Sequence, residues 1–170
     1  MPLFSWSEIE KRAGEARHIG EQKKFPVNPG VIAKIFEVAV RNASFEREEI
    51  VAVLSTKDTR TTIWVREEAP VLLKRYAIAH QLGHFLFGHL RDGMQHEDTE
   101  ASFLGPPWTR PAEPPQGVQA DEQANMFAAS LLMPVKAIES AGGKLSVAEF
   151  ARQFVVPESI MKLRLEQLGG

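Results

Sequence analysis

The chain of 170 residues contains no cysteine. Disulfide bonds and thiolate metal sites are therefore excluded, and a metal ion would have to be held by histidine and carboxylate side chains. The net charge is only −2, so no global positive field would draw the chain to nucleic acid or to a membrane surface. No apolar run reaches the roughly 20 residues of a membrane-spanning helix. Together these absences favour a cytoplasmic protein.

The size and composition favour a single globular domain. Hydrophobic residues make up 44% of the chain and charged residues 25%, both ordinary for a globular protein. This length suffices for one well-buried core but not comfortably for two. Residues 1–6 lack a charged region followed by an apolar stretch, so we expect no secretory signal peptide. We predict one domain over residues 1–170.

Two histidines, His80 and His84, stand four residues apart. Four residues advance an α-helix by about 400°, so both imidazoles would lie on one face and could hold one metal ion. With glutamate in place of Gln81, the segment would read H-E-x-x-H, the signature of zinc proteases. The H-x-x-x-H spacing alone often arises by chance, and two core histidines without a metal are the alternative.

The segment around the two histidines is predicted to be a buried helix. Residues 71–90 contain no proline, their apolar side chains fall nearly all round a helix, and Pro70 suits its first turn. Gly83 lowers helix stability, which makes sense if another backbone approaches closely there. Histidines that point from a buried helix need partners, and a metal ion is one.

A catalytic zinc site usually has three protein ligands and a water molecule. Residues 121–134 have helical character, and Pro134 ends the run. Glu122 heads an otherwise apolar face, so it is either a metal ligand or a partner of the helix N-terminus. Asp121 is interpreted as a capping or first-turn acid.

Two segments of the chain resemble the ImmA/IrrE metallopeptidases. Residues 75–84 resemble the motif R-[FY]-x-x-A-H-E-L-G-H, and residues 122–134, which read E-x-A-N-x-F-A-A-x-L-L-M-P, resemble the family's second motif, E-x-x-A-N-x-F-A-A-x-L-L-M-P, with Glu122 taken as its acid; the two occur in the same order. The resemblance extends over about residues 26–168, so residues 1–24 lie outside it. It implies an α+β, zincin-like domain with a small sheet, a buried metal-binding helix and a C-terminal helix pair.

The resemblance also implies a ligand set and a function. His80, His84 and Glu122 would hold zinc, with manganese as the other candidate metal. Members of the family cut helix-turn-helix repressors, often after DNA damage, which releases genes for mobile-element transfer, DNA repair or defence against phage. The implied partner is such a repressor. Direct binding to nucleic acid is left open.

Gln81 departs from the family motif at the position of the general base. In metal-assisted peptide hydrolysis a carboxylate takes a proton from water and passes it to the leaving amine, a contribution of about 10²–10⁴ in rate. Glutamine cannot accept that proton, so we expect metal and substrate binding with little or no cleavage. Two explanations stay open: deliberate replacement of glutamate in an active enzyme, which we favour, or a natural pseudo-protease that regulates a repressor by binding alone.

The rest of the chain carries weaker predictions. His18, His89 and His96 are not expected to be ligands. The proline-rich residues 105–117, with Trp108, are either a lid or an insertion. The capping-box pattern at residues 7–10 predicts a helix to about Gly20. A short helix is predicted over residues 31–37, and three strands over residues 37–41, 50–55 and 61–66. The strand over residues 61–66 is the candidate substrate-binding strand. Two further helices are predicted over residues 146–153 and 158–168, and we interpret this pair as structural rather than DNA-reading.

Overall fold

A small sheet and eight helices make up the part of the chain that the computed structural model describes, residues 4–90, 93–104, 118–141 and 145–169. The predicted α+β class is confirmed. The proline-rich loop with Trp108 lies outside the described residues. The elements are α1 (Trp6–Ile19), α2 (Pro29–Ile35), β1 (Ala39–Ala43), β2 (Ile50–Lys57), β3 (Arg60–Arg66), α3 (Val71–Leu86), β4 (Gln95–Thr99), α4 (Glu100–Leu104), α5 (Val118–Leu132), α6 (Val135–Ser140), α7 (Val147–Phe154) and α8 (Glu158–Gln167).

The sheet has the strand order β1-β3-β2-β4. Strands β2 and β3 form an antiparallel hairpin, in which Asp58 and Thr59 adopt φ angles of 50° and 64°. Positive φ at both central residues is the requirement of a two-residue type I′ turn, whose twist matches that of the flanking strands. Strand β1 runs parallel to β3, and β4 pairs antiparallel with β2. The three predicted strands are confirmed with shifted ends, and β4 is an addition.

Helix α1 begins two residues earlier than predicted. The sequence offers two overlapping S-x-x-E patterns, and the first of them forms the capping box. The Ser5 hydroxyl accepts a hydrogen bond from the Glu8 amide, and the Glu8 carboxylate accepts one from the Ser5 amide at 2.7 Å. The earlier box lengthens the helix without changing its buried face, which includes Ile9 and Ala13 as predicted.

Helix α3 packs against both the sheet and α5, and its contact with α5 is unusually close. A Cβ atom added at Gly83 would lie 3.0 Å from the Cα of Ala124 and 3.2 Å from the Cβ of Phe127. The expectation that another backbone approaches this glycine is confirmed. The close approach matters for function because it brings the N-terminal half of α5 beside the two histidines of α3.

The substitution Gly83→Ala should lower the free energy of unfolding. Alanine favours the helix by about 1 kcal/mol, but overpacking against α5 costs about 1–3 kcal/mol, so we expect a net loss of up to about 2 kcal/mol. Thermal denaturation measures the change. Gly14→Ala is the control, because its Cβ would meet only a flexible Arg17 guanidinium nitrogen at 3.6 Å. Equal stabilisation by the two substitutions would refute the close helix contact.

The C-terminal helices α7 and α8 are docked into the core. Ser146 and Glu149 form the capping box of α7. Arg164 of α8 is completely buried, where its Nε donates to the Met133 carbonyl at 3.2 Å and its guanidinium contacts Glu10. A buried arginine cannot reach DNA phosphates, so this packing favours the structural interpretation of the helix pair.

None of the described helices has the length and apolar character needed to cross a membrane.

Candidate metal centre

His80 and His84 lie one above the other on α3, as predicted from their spacing. Both side chains are completely buried, and their Nε2 atoms are 3.0 Å apart. Two imidazoles that direct their Nε2 atoms at one point could supply half of a metal-binding set. The rest of the set depends on what holds the rings and on which other donors reach the same point.

The ring of His80 is held from helix α5. Its Nδ1 lies 2.8 Å from the Oδ1 of Asn125, whose amide nitrogen donates to the Ser102 carbonyl at 2.9 Å. The Tyr76 hydroxyl also donates to Asn125 Oδ1, at 3.3 Å. An amide oxygen can only accept, so Nδ1 of His80 carries a proton and Nε2 is the ring atom that could bind a metal. This arrangement is typical of metal-binding histidines.

The ring of His84 is held by His89, with 3.1 Å between their Nδ1 atoms. Sequence reasoning excluded His89 because a continuing helix would turn it away. Instead α3 ends at Leu86 and Gly88, at φ 68°, turns the chain back toward His84. Burial lowers the pKa of His89 to about 4. Burial and the neighbouring His80 hold the pKa of His84 well below 6.5, so both rings are neutral at pH 7.

Strand β4 contributes two further side chains to this point. His96 and Asp98 are two residues apart on one strand and therefore face the same side of the sheet. The Oδ2 of Asp98 lies 3.3 Å from His80 Nε2, and the Oδ1 lies 3.5 Å from His96 Nε2. The expectation that His96 is not a candidate ligand is corrected by this placement, and Asp98 was not considered, because β4 was not recognised in the sequence. The alternation of H-x-D was the signal that could have found them.

Asp121 of α5 completes the group. Its Oδ1 lies 3.5 Å from His84 Nε2 and 3.4 Å from His96 Nε2. Burial alone would lower the pKa of His96, but Asp121 and Asp98 outweigh it and raise that pKa to about 10. Five residues can each offer a ligand atom within 4.8 Å of the others: His80, His84, His96, Asp98 and Asp121.

Glu122, the predicted third ligand, lies outside this group. Asn125 faces His80, and the residue one full turn before Asn125 is Asp121, whereas Glu122 points about 100° away from Asp121. The Oε1 of Glu122 is buried and has no hydrogen-bond partner among the residues that the structure describes, and burial raises the pKa of this carboxyl. The structure therefore brings Asp121, and not Glu122, together with His80 and His84.

Gln81 is completely buried beside the group, at the position predicted for the base. Its amide nitrogen donates to the Oδ2 of Asp98 at 2.8 Å, and the His96 carbonyl lies 3.4 Å away. Its Oε1 has no hydrogen-bond partner. Position 81 is therefore next to the candidate ligand atoms, and its amide nitrogen is hydrogen-bonded to a carboxylate.

The strand beside the group is β4, and the expectation that residues 61–66 bind substrate is wrong. Those residues belong to β3, which pairs with β1 on one side and β2 on the other. A strand paired on both sides has no main-chain groups left for β-augmentation. Among the described strands, β4 lies at the sheet edge next to the metal-ligating atoms.

The donor set fits a divalent metal ion. Zinc–ligand bonds of about 2.0–2.1 Å place the donors of a tetrahedral site about 3.3–3.4 Å apart. The corresponding distances here are 3.0 Å between the Nε2 atoms of His80 and His84, 3.3 Å from His80 to Asp98 and 3.5 Å from His84 to Asp121. Among the described residues Asp98 Oδ1 has no hydrogen-bond partner, and it forms an ion pair with His96 Nε2 at 3.5 Å.

A buried helix with two histidines, an acidic residue on a second helix and an adjacent sheet edge define a metallopeptidase-type site. The model of the IrrE N-terminal-like domain family, Peptidase_M78, matches residues 33–166. The chain belongs to this metallopeptidase family, which confirms the resemblance described above. A comparison with curated proteins finds no match.

Proposed function

We propose that the chain is a zinc- or manganese-dependent endopeptidase of the IrrE type, in a form impaired at its general base. The convergence of His80, His84 and Asp121 beside Gln81 is the observation that carries this proposal. His80 and His84 would bind the metal with Asp121, in place of the Glu122 expected from the sequence. When bound, the metal would activate water and polarise the scissile carbonyl.

The residues around the metal suggest how a substrate would be held. A peptide added to the edge of β4 would run past His96 and Asp98, so its backbone would lie beside the metal-ligating atoms. Gln81 would stand where the proton acceptor is needed, yet its amide nitrogen cannot accept a proton and already donates to Asp98. Binding would therefore be retained while proton transfer is lost.

The proposed substrate is a helix-turn-helix repressor in the cytoplasm. The family resemblance supports this partner, and cleavage would derepress genes for the response to DNA damage, mobile-element transfer or defence against phage. A peptide bond must leave its folded surroundings to lie along β4, so the cleaved segment should be extended and outside the DNA-binding domain.

Co-elution with intact repressor tests this proposal. The chain, loaded with zinc, is mixed with the helix-turn-helix repressors encoded next to its gene and separated by gel filtration. We expect a complex in which the repressor stays intact and still binds its operator DNA, because the proton acceptor is absent. A repressor encoded elsewhere in the genome serves as the control. Failure to bind any neighbouring repressor would refute the proposed partner.

One observation favours a second function, that of a natural pseudo-protease that sequesters a repressor. The Gln81 amide donates a hydrogen bond to Asp98, which an ionised glutamate could not do, so glutamine is matched to its surroundings. Release of the repressor from DNA by the Gln81 chain, without cleavage, would establish sequestration. DNA binding through α7 and α8 is not proposed, because Arg164 is buried and Lys162 is paired with Glu166 at 3.9 Å.

A further inference from the structure

The metal group contains more protein donors than a hydrolytic site uses. Catalytic zinc sites have three protein ligands and leave one position open, whereas structural sites are closed by four. His80, His84 and Asp121 already supply three donors. The two residues of β4, His96 and Asp98, are additional, and their placement decides whether a position stays open.

Asp98 is the better placed of the two for coordination. Its side chain is 1% exposed, whereas that of His96 is 30% exposed. Asp98 Oδ2 lies 3.3 Å from His80 Nε2, a donor-to-donor distance typical of one metal site, whereas Asp98 Oδ1 lies 3.5 Å from His96 Nε2. The Oδ1 atom is therefore paired with His96, and Oδ2 is the oxygen directed at the histidines of α3. These features indicate a ligand.

Gln81 supports Asp98 directly. Its amide nitrogen donates to Asp98 Oδ2 at 2.8 Å, and it is completely buried. Metal-binding carboxylates commonly accept such hydrogen bonds, which orient them. An ionised glutamate at position 81 could not donate and would place a second negative charge against Asp98.

We propose that Asp98 is a fourth protein ligand of the metal, and that Gln81 is the positioning residue that holds it. Strand β4 then closes the site from the sheet side, at the position that an open catalytic site leaves to water. His96, with its Nε2 3.5 Å from Asp98 Oδ1 and 3.4 Å from Asp121 Oδ1, braces the two carboxylates. The proposal rests on the metal centre of the proposed function but not on the identity of the repressor.

The test measures zinc affinity by chelator competition and records the absorption spectrum of the cobalt(II) form, which reports the ligand set. Loss of an outer-shell partner typically costs about 10–100-fold in metal affinity. We expect Gln81→Leu to weaken zinc binding about 10–100-fold and Asp98→Asn to weaken it at least as much, with an altered cobalt spectrum for both. Glu97→Gln on the same strand is the matched control, because its carboxylate is exposed and pairs with Arg47. Circular dichroism of the metal-free variants verifies the fold.

Several results would overturn the proposal. If Asp98→Asn keeps the zinc affinity and cobalt spectrum of the unchanged chain while Asp121→Asn loses zinc affinity, the metal centre stands but Asp98 is not a ligand. If His96→Gln lowers zinc affinity and Asp98→Asn does not, then His96 is the fourth ligand and Asp98 is not. A parent chain that binds no zinc would refute both the metal centre and this proposal. Absence of repressor binding by a zinc-loaded chain would count against the proposed function alone.

Discussion

The double substitution Gln81→Glu with Asp98→Asn should raise repressor cleavage by about 10²–10⁴-fold over the unchanged chain, the usual contribution of a general base. The single substitution Gln81→Glu would place two carboxylate oxygens at the 2.8 Å separation now bridged by an amide proton. Two such charges cannot both be ionised in a buried site. The double substitution reverses the hydrogen bond, because an asparagine introduced at position 98 can donate to a glutamate at position 81, and it also frees the position that Asp98 would occupy.

Comparison of the unchanged chain, the two single variants and the double variant separates the effect of the base at position 81 from the effect of Asp98. The unchanged chain and Asp98→Asn lack a base and should cut slowly or not at all, Gln81→Glu should gain less than the double variant, and the double variant should cut fastest. Mass spectrometry of the repressor identifies the fragments. A double variant that binds metal and repressor yet cuts nothing would contradict the endopeptidase proposal and support the pseudo-protease.

The substitution Asp121→Asn should remove most of the bound metal, whereas Glu122→Gln should leave it in place. Asp121 Oδ1 lies 3.5 Å from His84 Nε2, and its neighbour Glu122 is outside the group. Loss of a ligand should exceed the roughly 10–100-fold loss of affinity that follows removal of an outer-shell partner. The two substitutions are matched, because each replaces one of two neighbouring acidic side chains of α5 with its uncharged amide.

Metal content after dialysis, and zinc affinity by chelator competition, measure the difference. His84→Ala sets the expected level for a lost ligand. If Asp121→Asn retains its metal and Glu122→Gln loses it, then Glu122 is the third ligand, as predicted from the sequence, and α5 is rotated so that Glu122 faces the histidines.

The sequence predicted the histidine helix well because several independent signals agree there. Three signals favour a buried helix at residues 71–86. Apolar side chains surround the helix, Pro70 stands at its start, and Gly83 allows another backbone to approach closely. The H-x-x-x-H spacing then fixes the relative positions of two imidazoles, because both lie on one rigid element.

The third ligand could not be fixed in the same way. Asp121 and Glu122 are adjacent acids near the start of one helix, and the docking of α5 on α3 determines which of them faces the histidines. That docking depends on the contact of Gly83 with Ala124 and on the hydrogen bond from His80 to Asn125. Both are tertiary contacts, but the family motif carries a further signal: in E-x-x-A-N the acid stands four residues before the asparagine, and the residue four before Asn125 is Asp121, not Glu122.

Strand β4 was missed because its sequence, Gln-His-Glu-Asp-Thr, contains a single β-branched residue and no apolar one. Propensity argues against a strand there, and pairing with β2 produces it. Its alternate side chains, His96 and Asp98, are turned toward the metal-ligating atoms rather than toward an apolar core. Polar strands of this kind occur where function overrides local preference.

The metal content of the purified, unchanged chain tests the central claim most directly. After dialysis against buffer that contains zinc and then against metal-free buffer, elemental analysis should find about one divalent ion per chain, as expected for a single site. Treatment with a strong chelator should remove that ion, and Gln81 should not prevent its return. A chain that retains no zinc or manganese under these conditions would contradict the account.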